Sequence, residues 1–195
     1  MKPSAPPDPR TLVAGIGNVF LGDDGFGVET VRRLAERDLP GRTEVVDIGV
    51  RGVHLAYQLL DGYDTLVLVD ATSRGEAPGT LYVIEHDVGA APSPPAAAMD
   101  GHRMTPDTVL ALLATLCAGT GTEPPRRVLV VGCEPASVEE GVGLSAPVSD
   151  AVPRAVRLIE ELLRSGEPSA AQTPTAQTPT AQTPTAQTPT ARAST

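Results

Sequence analysis

Cysteine is scarce in this chain. There are two in 195 residues, Cys117 and Cys133, too few for a disulfide framework. No apolar stretch is long enough to cross a bilayer. The opening residues, MKPSAPPDPR, lack the apolar centre of a secretory signal. Basic residues are outnumbered, with 15 Lys and Arg against 24 Asp and Glu and a formal net charge of −9. An acidic chain argues against a nucleic-acid partner or an anionic membrane surface. Compact catalytic signatures are missing too: there is no H-E-x-x-H helix, no Cys-His zinc spacing, no G-x-S-x-G elbow and no cysteine-protease signature. From its charge, hydropathy, N-terminus and cysteine usage, a soluble cytoplasmic protein is expected.

What is present centres on residues 11–29, TLVAGIGNVFLGDDGFGVE. The apolar run Leu12, Val13 and Ala14 reads as a buried strand. Five glycines follow (Gly15, Gly17, Gly22, Gly25 and Gly27), with Asp23 and Asp24 among them. Strand, glycine turn and helix start place polar groups at the carboxyl end of a strand, where open α/β sheets carry their sites. A dinucleotide fingerprint needs G-x-G-x-x-G. Gly15 and Gly17 fit it, but Phe20 holds the third position, and two carboxylates in the turn would repel a pyrophosphate. The other reading is a turn that displays carboxylates at the mouth of the sheet. For Asp23 the simpler role of helix cap is expected.

Beyond that turn the pattern alternates. Strands are expected at 11–15, 43–48, 65–69, 80–84 and 127–133, and helices at 25–37, 52–60, from Thr105-Pro106 onward, and at 147–164 with a kink at Pro153. Apolar strands alternating with helices imply a three-layer α/β/α sandwich around a mostly parallel five-stranded twisted sheet. The direction of the fourth strand stays open. Residues 1–10 form a Pro-rich arm, 11–166 one domain, and 167–195 a tail of AQTPT repeats. The tail cannot bury enough surface to offset its ordering entropy and is expected to be disordered. The segment 85–101 is long for a connection in a compact domain, which is often a functional feature.

All strands but the fourth lead into an acid: Asp24, Asp47, Asp70 and Glu134. His102 precedes the third major helix and can reach the same edge. One imidazole with two or more carboxylates suits a divalent transition ion. Simpler roles exist for each: turn former for Asp47, cap for Asp70, exposed loop residue for His102, packing for His54, surface residue for His86. Cys117 and Cys133 read as small core residues.

The run GIGNVFLGDDGFG resembles the opening motif of the hydrogenase maturation peptidases. The resemblance continues through DIGV at Asp47, LVLVDA at Asp70, APGTLYVIE, Asp100-Gly101-His102, Glu134-Pro135 and GVGLSAPV, in order. It implies an endopeptidase that trims a C-terminal peptide from the nickel-loaded large-subunit precursor of a nickel–iron hydrogenase. It implies that Asp24, Asp70 and His102 recognise nickel carried by that precursor, with no permanently bound cofactor. The family's Asp after the second strand maps to Asp47, although Ile48 replaces the first glycine of its D-G-G-type turn. A monomer is expected. Hydrolysis could run through metal polarisation of the scissile carbonyl or bound water, or through Asp24 or Asp47 as general base. Two other functions fit the residues: a module that binds a maturation intermediate without cutting it, and a nucleotide-binding α/β protein.

Deleting residues 168–195 is expected to leave precursor processing unchanged, because the AQTPT repeats lie outside the domain. A comparison of processing rates for the full and shortened chains checks this.

Overall fold

The computed structural model describes residues 9–86 and 106–165. Residues 1–8, the tail from residue 166, and the stretch containing Asp100 and His102 lie outside the described residues. In chain order come β1 (Arg10–Ile16), a 3-10 turn (Gly22–Gly25), α1 (Phe26–Leu34), β2 (Arg42–Gly49), α2 (Gly52–Leu59), β3 (Thr65–Ala71), β4 (Leu81–His86), α3 (Pro106–Thr120), β5 (Arg127–Cys133) and α4 (Ala146–Ser165). The expected strands and helices are all present. α1 stops at Leu34, short of the expected 37, and β1 opens at Arg10. Pro153 lies on the exposed side of α4, and the helix continues past it to Ser165.

The strands form one sheet in the order β2-β1-β3-β5-β4. Neighbours pair in parallel, except that β4 runs antiparallel to β5. Side chains alternate between the two faces of a strand, and here both faces are apolar. Leu12, Ala14, Leu66, Leu68, Val128 and Val130 meet Leu55, Leu59, Leu110 and Leu113 of α2 and α3. Val13, Val67, Val69, Leu129 and Val131 meet Phe26, Leu34, Val152 and Ile159 of α1 and α4. Full burial of one such side chain contributes about 1.5–3 kcal/mol, so neither face can stay open. Covering both produces the three layers.

α1 sits unusually close to the sheet. A β-carbon at Gly27 would run into the carbonyl oxygens of Ile16 and Val69. One at Gly15 would strike Val31 and the carbonyl of Gly27. The two glycines therefore let helix backbone touch strand backbone. From β1 the chain winds outward to β2, then returns to the other side of β1 for β3. This reversal opens a crevice between the carboxyl ends of β1 and β3.

Gly27→Ala is expected to destabilise the fold by about 2–3 kcal/mol through overpacking. Gly119→Ala, in α3 with open space around it, is expected to stabilise by up to about 1 kcal/mol. Urea midpoints of the two variants check both signs.

Candidate active site

Asp24 and Asp70 come together at the β1–β3 crevice. Asp24 belongs to the 3-10 turn that follows β1, and this turn packs on β3. Gly17, at φ 130°, lies against the Asp24 carbonyl, where no β-carbon would fit. The Asn18 amide donates to Asp24 Oδ2 at 2.6 Å, and the Phe20 amide donates to Asn18 Oδ1 at 3.0 Å. This local network fixes the turn. Asp70 stands near the end of β3, half-buried. Burial, and then the charge of Asp24, push its carboxyl up to about 7. A carboxyl raised in this way beside a second carboxylate is a ready partner for a proton or a cation.

Asp47 does not join them. It lies in register with Gly15 on β2, while Val69 lies in register with Gly15 on β3. Its strand is therefore two away from β3, about 10 Å. Val69 packs on the α1–α4 side, so Asp70, the next residue, points to the α2–α3 side. Asp47 points the opposite way, toward α1, where Arg32 holds its Oδ2 with Nε at 3.1 Å and with an Nη at 2.9 Å.

Glu134 is buried and fully engaged. It accepts from the Tyr82 hydroxyl at 2.5 Å, the Arg74 amide at 2.7 Å, the Gly75 amide at 3.1 Å and Ser73 Oγ at 3.2 Å. Tyr82 foremost, with the backbone donors, holds its carboxyl down to about 2. Glu134 thereby fastens the loop that follows β3, close to Asp70.

Asp23 departs from expectation. Neither the 3-10 turn nor α1 has a side-chain cap. The Asp23 carboxylate, 1% exposed, reaches across to the loop after β5. It accepts from the Ala136 and Ser137 amides at 2.8 and 3.2 Å, and from Ser145 N and Oγ at 2.6 and 2.8 Å. Burial alone would raise its pKa, but these donors leave it lowered. Asn18, Tyr82 and Ser145 had no sequence signal for these roles, since each acts through a contact that no motif spacing encodes.

The remaining candidates divide simply. Cys117 and Cys133 are buried. Burial raises the Cys117 thiol and pushes Cys133 up to about 12, which suits core residues and not thiolate nucleophiles. His54, expected to pack, is exposed on α2, and His86 is half-buried at the end of β4, not exposed. His102 lies outside the described residues. Among the described residues no three His, Cys, Asp or Glu side chains gather into a metal-binding group, and no helix is long and apolar enough to cross a membrane. The nucleotide reading has no support here, because the turn before α1 carries two acids in place of a phosphate cradle.

Comparison with known proteins bears on the family and the fold. A family model described as hydrogenase maturation protease (HycI) matches residues 28–162, beginning just after the glycine turn. The hydrogenase expression/formation protein HupD of Rhizobium leguminosarum bv. viciae is 34% identical over 162 residues, covering 82% of this chain and 77% of its own length. Among solved structures, the hydrogenase maturating endopeptidase HybD from E. coli superposes with a TM-score of 0.64 at 30% identity, over 80% of this chain and 93% of that one. A hydrogenase 2 maturation peptidase from a Thaumarchaeota archaeon gives a TM-score of 0.60 at 31% identity, over 80% and 98%.

The Glu134 contacts predict an acid-dependent stability. Its folded pKa lies below the ordinary 4.5, so its contribution is complete above that pH and is lost as pH falls toward 2. Glu134→Gln is therefore expected to be less stable than the parent at pH 7, with the gap closing between about pH 5 and pH 2. Urea midpoints across that range measure it.

Proposed function

The chain belongs to the hydrogenase maturation protease family and is an endopeptidase, and from that premise we propose that it removes a C-terminal peptide from the nickel-loaded large-subunit precursor of a nickel–iron hydrogenase. In this reading Asp24, Asp70 and His102 meet nickel that the precursor carries. The reaction takes place in the cytoplasm with the enzyme as a monomer, and nickel arrives as part of the substrate.

The observation that carries the reading is the Asp24–Asp70 pair at the β1–β3 crevice. Burial first, and then the charge of Asp24, raise Asp70, and a cation held beside the two carboxylates would offset both. Carboxylates supply charge to such an ion, and imidazole is a good ligand for nickel. α3, on the face toward which Asp70 points, begins four residues after His102.

Water is the nucleophile. It adds to the scissile carbonyl, its proton passes to a carboxylate, and the C–N bond breaks as the leaving amine takes up a proton. Asp24 is the better base of the two carboxylates considered. Its Oδ2 accepts from the Asn18 amide, and its charge acts on Asp70 across the crevice. Asp47 is held by Arg32 on the other side of the sheet.

The test is a processing assay with nickel-loaded and nickel-free precursor, read by mass spectrometry. A single C-terminal fragment from the loaded form alone is the expected result. Asp24→Ala, Asp70→Ala and His102→Ala should each lower the rate on the order of 100-fold or more, with circular dichroism unchanged. Normal processing by the triple variant would overturn the assignment of these residues.

A further inference from the structure

Three large apolar side chains stand in solvent beside the candidate site: Phe20 at 67% exposure, Val138 at 50% and Val142 at 83%. Phe20 lies between β1 and the turn that carries Asp24. The two valines lie on the loop between β5 and α4. These two loops are joined into one unit. Gly22 N donates to the Gly141 carbonyl at 2.9 Å, Gly141 N donates to the Phe20 carbonyl at 2.9 Å, and Asp23 N donates to the Ser137 carbonyl at 3.1 Å. Beneath them the buried Asp23 carboxylate takes its four bonds from Ala136, Ser137 and Ser145.

We propose that these two loops form a prearranged docking face for the precursor protein, which meets it with an apolar patch flanked by basic side chains. The inference rests on the reading that the β1–β3 edge is the processing site, with which this face is continuous through the Asp24 turn. Exposed apolar groups held rigid lose little freedom on binding, so their burial goes into affinity. The charge of the partner follows from Glu139 and Glu140, both exposed between the two valines. A polypeptide suits this edge better than a small molecule. Two clefts among the described residues open at the other edge of the sheet, one beside Thr43 and one beside Asp64.

The test uses the full chain and the purified nickel-loaded precursor. Phe20→Ser with Val142→Asp is expected to raise KM about tenfold with kcat unchanged, because both side chains are exposed and touch no reacting atom. Glu139→Lys with Glu140→Lys is expected to raise KM and to reduce its dependence on salt. An unchanged KM in the Phe20/Val142 variant overturns the docking face while leaving the processing site intact. Precursor binding to Asp24→Asn, with and without the Phe20 and Val142 changes, keeps the two readings apart. A tenfold weaker Kd supports the face even if no cleavage is seen. If the same changes lower the mass of the free enzyme in sedimentation and leave Kd unaltered, a second copy of this chain occupies the face and the proposal is wrong.

Discussion

A helix can lie directly on the backbone of a sheet only where neither brings a β-carbon to the contact. Gly15 and Gly27 create that situation between β1, β3 and α1. Much else depends on it. The close seat of α1 fixes where the 3-10 turn leaves the end of β1, and hence where Asp24 lies relative to Asp70. Gly17 extends the same logic by one step, since the Asp24 carbonyl occupies the space of its missing side chain. The glycine turn is thus a spacing device, and its carboxylate is placed by contacts between main chains.

Acids at this edge fall into pairs with divided roles. Asp23 and Asp24 are neighbours, yet one is buried under four donors from a distant loop and the other is partly exposed, with its charge acting on Asp70. Glu134 and Asp70 repeat the division on adjacent strands. Glu134 is saturated by Tyr82 and by the loop after β3, while Asp70 is left with a raised pKa. The saturated member of each pair fixes a loop, and the loop fixes the setting of the other. A buried carboxylate with that many donors stays ionised and holds its geometry. An acid short of donors is the one with capacity to interact with something that arrives.

The layer architecture was legible in the sequence because it depends on local pattern. Apolar runs such as Leu66–Val69 and spaced apolar residues such as Val148, Val152 and Ile159 encode strand and helix directly. The positions of Asp24 and Asp70 followed from the rule that sites gather at strand ends. The direction of β4 did not follow, because an edge strand of six residues reads the same either way. Nor could the role of Asp23 be read. Its donors are 113 to 122 residues away, and nothing near Asp23 distinguishes a carboxylate buried by a distant loop from one that caps a helix. The separation of Asp47 from Asp70 was hidden for a different reason. Both end parallel strands, but strand order and side-chain parity put them on opposite faces.

The reversed direction of β4 has a geometric consequence. Its first residue pairs with the last of β5, and its last residue, His86, pairs with Val128 near the start of β5. The chain therefore leaves β4 at the edge far from Asp70. α3 must run back toward the start of β5, so its first turn belongs at the near edge. A strand of this length spans roughly 20 Å, and the chain between His86 and Pro106 has to recover that distance. No tight turn could do so. The distance between the end of β4 and the start of α3 is accordingly a product of strand order: the antiparallel edge strand sets two elements that follow one another in the chain at opposite edges of the sheet.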